Sequence, residues 1–79
     1  MDIKEFTQLE MMQKENVILQ AGQFITGLIK DRHAFGLYAV NNFYVEVELE
    51  IGNTENMTLS ALMKNQIPEK FFGKTNLSN

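Results

Sequence analysis

The sequence predicts an α+β fold: an N-terminal helix packed on one face of an antiparallel β-meander of three to four strands, with a short C-terminal helical turn. Three observations predict it. A capping-box pattern opens an apolar stripe with a 100° repeat. The periodicity changes after Gly22 from helical to alternating. Short polar turns then divide a run rich in β-branched and aromatic residues.

Asp2 followed by Glu5 starts the helix, and Ile3, Phe6, Leu9, Met12, Val17, Leu19 and Ala21 form its broad apolar side. Glu10, Gln13 and Asn16 interrupt that stripe. Gly22 is read as the residue that ends the helix in a left-handed conformation. Three strands follow, near residues 23–30, 33–40 and 43–51, separated by "KDRH" and "NN". Asn41-Asn42 fits a two-residue type I′ hairpin turn. Residues 56–63 read as a fourth strand with Met57, Leu59, Ala61 and Met63 alternating, in preference to a helix begun by Thr58. The final turn starts at Pro68 and stops near Gly73, with residues 74–79 frayed. The whole chain, 1–79, is one small domain.

The stretch "AVNNFYVEVELEIGN" carries the functional question. Phe43, Val45, Val47, Leu49 and Ile51 share one face of the third strand, and Tyr44, Glu46, Glu48 and Glu50 the other. A two-residue turn pairs Val40 with Phe43, Tyr38 with Val45, Gly36 with Val47 and Ala34 with Leu49 on the core face. It also pairs Leu37 with Glu46, Phe35 with Glu48, His33 with Glu50 and Ala39 with Tyr44 on the outer face. Phe35, Leu37, Tyr44, Glu46 and Glu48 then form a half-apolar, half-acidic patch suited to a protein partner. A bulge or a turn of different length would instead move Phe35 and Leu37 to the helix side.

Preceded by Gly22 and Phe24, the run "GLYAVNNFYVEV" resembles a family of small, functionally uncharacterised bacterial proteins. They share a helix, a glycine and a meander with an LY-x-x-x-x-FYVEV hairpin. Leu37, Tyr38, Phe43, Tyr44, Val45, Glu46 and Val47 carry the hairpin match, and the resemblance as a whole covers residues 6–50. The chain departs from the pattern at Glu48-Leu49, where the family has an aromatic pair, and matches loosely around Pro68. The resemblance implies this fold and a bacterial cytoplasmic origin, and it brings no activity with it.

Composition narrows the function classes. The chain has 44% hydrophobic residues and no cysteine, so neither a disulfide nor a thiolate metal site is available. Net charge is −3, and the positive excess at the C-terminal end amounts to Lys64, Lys70 and Lys74 against Glu69, too sparse for a nucleic-acid surface. The acidic N-terminus is unlike a signal peptide, and no apolar run reaches the ~18–20 residues of a membrane helix, so a cytoplasmic location is the expectation. Alternate strand residues stand ~6.5–7 Å apart, too wide for Glu46, Glu48 and Glu50 to share one ion. His33 is the only histidine, and neither serine lies in a nucleophile-elbow context. No cofactor is expected.

The reading preferred from sequence is a non-catalytic protein-interaction module, its partner either another protein or a second copy in a homodimer through the sheet. Met11, Ile18, Phe71 and Phe72 are apolar residues beyond the main stripes; the two phenylalanines are expected to wrap the tail around the helix. The alternative is a small-ligand or metal-binding protein, or minor enzyme, using Asp31, His33 and Glu50 at one end of the hairpin.

Overall fold

Two strands, β2 (His33–Val40) and β3 (Phe43–Glu50), pair across a two-residue turn in the register expected from the sequence, from Val40 opposite Phe43 to His33 opposite Glu50. The structure, a computed structural model, describes residues 1–72 apart from the side chain of Thr54. β1 (Gly22–Lys30) and β4 (Asn53–Leu62) flank the hairpin, giving a four-stranded antiparallel meander in chain order. In β4, Met57, Leu59 and Ala61 stand opposite Leu49, Val47 and Val45, so the alternation that distinguished strand from helix lines up with the core face of β3. β4 begins three residues earlier than the sequence suggests, directly after the Ile51-Gly52 turn, where Gly52 has φ 92°.

The turns differ in their chemistry. Asp31 and Arg32 both have positive φ (53° and 69°), the type I′ pattern that matches the twist of the flanking strands. At the second turn only Asn41 is positive (51°), which departs from the expected type I′ geometry while preserving the two-residue loop and hence the register. Asn41 also has a tertiary role: its Nδ2 donates to the Met1 carbonyl at 2.8 Å.

The N-terminal segment is two helices, α1 (Ile3–Thr7) and α2 (Met11–Ala21), where the stripe suggested one. The residues that interrupt the stripe make the break. Asp2 accepts from the Glu5 N–H at 2.8 Å and Glu5 from the Asp2 N–H at 3.0 Å, closing the expected capping box. Glu10 then takes an extended conformation and starts a second helix, with Gln13 Oε1 accepting from its N–H at 3.1 Å. At its other end α2 runs directly into β1. Gly22 is extended (φ −80°, ψ 145°), contrary to the left-handed cap expected, and glycine is needed for space: a Cβ there would lie 2.6 Å from the Ile18 carbonyl oxygen.

The break lets α1 place Phe6 fully inside, against Val40, Phe43 and Val45, with the Phe6 and Phe43 ring centroids 5.4 Å apart. Ile3, Leu9, Val17 and Ile18 surround this cluster from the helical side, and Val47, Leu59 and Ala61 from the sheet. α2 itself buries no residue completely; Met12 and Leu19 are 74% and 80% exposed.

After Met63 the chain makes two 3₁₀ turns, Lys64–Gln66 and Glu69–Phe72. The second starts after Pro68, as expected, with the Phe71 N–H donating to the Pro68 carbonyl at 3.1 Å; its expected end at Gly73 and the frayed 74–79 lie outside the described residues. This turn does not wrap around the helix. It lies on the other side of the sheet, where Phe71 is buried and Phe72 is exposed. Consecutive residues of a tight turn point different ways, so only one phenylalanine is used.

Two stability outcomes follow. Phe6→Ala should cost about 3–5 kcal/mol in urea unfolding, because nothing nearby can fill the space. Arg32→Gly should stabilise by up to about 1 kcal/mol, read as a rise in Tm of a few degrees, because glycine adopts positive φ without steric penalty.

Candidate functional site

The outer face of the hairpin, singled out by its glutamates, is organised around Lys70 of the C-terminal turn. Lys70 Nζ lies 2.7 Å from Glu46 Oε2 and 3.7 Å from the centroid of the Phe35 ring, so one cation is held by a carboxylate and an aromatic face together. The Glu46 side chain is 14% exposed. Leu37, the cross-strand partner of Glu46, is only 3% exposed, and Phe71 is buried with it. Phe35, Tyr44 and Glu48 are half-buried. The structure therefore brings Phe35, Leu37, Tyr44, Glu46 and Glu48 onto one face, as the register required, but the chain's own C-terminal turn lies over it. Leu37 is a packing residue there, not an open contact.

At the far end of the hairpin, His33 and Glu50 are cross-strand partners. The imidazole Nδ1 is 3.2 Å from the Asp31 carbonyl oxygen, and Nε2 is 3.9 Å from Glu48 Oε2, so the ring leans toward Glu48 and not toward Glu50. Glu50 is engaged elsewhere, accepting from Asn56 Nδ2 at 2.7 Å. Among the described residues, no three His, Cys, Asp or Glu side chains converge on a point that could hold a metal ion.

Among the described residues, a broad uncovered feature lies on the helix side. An 11-residue α2 is about 16 Å long, whereas strands of eight to ten residues run about 27–33 Å, so the helices cover one end of the sheet and leave the other bare. The core marks the covered end, at Val40, Phe43 and Val45. Phe24, Ile29, Ala34, Tyr38, Val47, Leu49 and Met57 line the rest, and Phe24 and Ile29 are 58% and 71% exposed. No charged side chain is among them.

The floor of this bare half is made by glycine. Gly27 and Gly36 are directly paired and project no side chain, so the rings of Phe24 and Tyr38 lie down across them, centroids 5.4 Å apart and nearly edge to face. A Cβ on Gly27 would sit 2.9 Å from the Phe35 carbonyl oxygen and 3.3 Å from the Phe24 ring. The result is a flat, partly aromatic depression whose strand residues carry no charge, bordered on one side by α2 through Glu15, Ile18 and Leu19.

Sequence reading missed this surface because it took one unbroken helix to cover the whole sheet. The available signal was the interruption at Glu10 and Gln13, which shortens the helical layer. Phe24 and Ile29 fall in the first strand, to whose residues the sequence reading assigns no face. No protein-family model matches the chain, and no curated protein or solved structure matches it either.

The Lys70 clamp has a measurable consequence. Lys70→Met keeps most of the stem and removes the charge, and should lower stability by about 1 kcal/mol after allowance for solvent screening. Combined with Glu46→Gln, the loss should be smaller than the sum of the two single losses, because both act on one interaction. Urea unfolding of the four proteins checks it.

Proposed function

We propose that this chain is a small non-catalytic interaction module that works through the bare half of its helix-side sheet face. The observation that carries the reading is the gathering of Phe24, Ile29, Tyr38, Val47, Leu49 and Met57 on one uncovered face with no charge among them. Scattered exposed apolar residues are ordinary on any protein, but a contiguous patch is a place where burial releases free energy, at about 25 cal/mol per Å² of apolar surface. The patch is also rigid, since its residues stand on paired strands. Binding there costs little ordering of backbone.

The outer face supports this reading indirectly. Its apolar residues are already used by Lys70 and Phe71, so a partner at Phe35, Leu37 and Tyr44 must first displace the C-terminal turn. Binding at the bare inner half displaces none of the described residues.

Isotope-labelled protein at low concentration, placed in concentrated cell extract, tests the reading by resonance broadening. Broadening confined to Phe24, Ile29, Val47, Leu49 and Met57, and lost in Ile29→Glu, is the expected result. Resonances unchanged on that face, or broadened on the outer face, would contradict it.

A further inference from the structure

Taking the bare half-face as the binding surface, we infer that its occupant is a second copy of this chain, docked face to face about a twofold axis. Shape supplies the first argument. The protomer is a step: two layers thick where the helices lie on the sheet and one layer thick beside them. A helix is about 10–12 Å across with its side chains, and two sheets pack face to face about 10 Å apart. The riser of the step thus has the height of one sheet-to-sheet spacing. A partner's bare half-sheet fits beside α2 at the same level, and the same holds in reverse.

Charge supplies the second argument. A twofold contact is self-complementary, setting a patch against its own copy, so like charges near the axis repel. The chain carries net charge −3, and its outer face bears Glu46, Glu48 and Glu50. The bare half lacks charge at Phe24, Ile29, Ala34, Tyr38, Val47, Leu49 and Met57, and can meet itself without that penalty. The one charge at its border is Glu15 of α2, beside Leu19; the strand residues themselves offer none to orient a foreign partner.

The third argument is the riser. Leu19, 80% exposed on α2, borders the depression beside Tyr38, Val47 and Met57, and in the docked pair it is covered by the partner's sheet. The bare area is modest: four strands at ~4.8 Å by five residues at ~3.3 Å give a planar footprint of roughly 300 Å², less than a standard interface covers per partner. The dimer is therefore weak and concentration-dependent.

Sedimentation equilibrium of the full chain from about 1 to about 500 µM tests it. The mass should rise from one chain toward two. Ile29→Glu and Leu19→Glu should each weaken association by about tenfold or more. Neither should lower Tm in dilute solution, because both side chains are mostly exposed. Phe72→Ser, on the other side of the sheet, should leave association unchanged. A single-chain mass at every concentration, assembly beyond two chains, or association untouched by both glutamate variants would overturn the dimer. The two readings separate by titrating labelled protein with unlabelled copies: broadening of the bare face by extract but not by its own copy keeps the surface and removes the twofold partner. No broadening by either removes both.

Discussion

A four-stranded sheet has two faces to cover, and among the described residues only two short helices and a 3₁₀ turn are packed against them. α1 and α2 cover one end of the inner face and the C-terminal turn covers part of the outer face. Every other feature depends on this shortage. The fully enclosed cluster is small, Phe6 with Val40, Phe43 and Val45, because only at that end do both layers meet. Among the described residues, the remaining apolar surface of the inner face stays open.

The glutamates of β3 are explained by the same economy of covering chain. Glu46 fixes Lys70 and with it the C-terminal turn; Glu50 takes Asn56 across the β3–β4 end; Glu48 faces the His33 ring. Each is engaged by this chain, and they converge on no common centre. Among the described residues, the apolar half of the helix-side face is left uncovered, which is why the functional reading moves from the acidic side of the hairpin to the helix side.

Much of the fold was legible because strand register is a discrete quantity. Once "NN" is read as a two-residue turn, every cross-strand pair of β2 and β3 follows, and a slip by one residue would have put Val45 and Phe43 in water. The fourth strand was legible for the same reason, through the alternation of Met57, Leu59 and Ala61. What escaped depended on small balances. The helix break at Glu10 turns on which of two local hydrogen-bonded caps forms, and apolar periodicity is nearly blind to that. The placement of Phe71 beneath the sheet depends on a lysine finding a carboxylate and a ring contributed by distant strands. The bare half-face was hidden because a pattern shows which side chains point inward, and it does not show how far the covering layer extends.

The central claim is a contrast in exposure between two sets of apolar side chains, and methyl relaxation by a soluble paramagnetic probe, on dilute protein, measures it directly. The methyls of Leu19 and Ile29 should relax strongly and those of half-buried Leu49 and Met57 to an intermediate degree, while those of Val40 and Val45 beneath the helices, and of Leu37 on the outer face, should be protected. Protection of Ile29 and Leu49 equal to that of Val45, or relaxation of Leu37 equal to that of Ile29, would contradict the account.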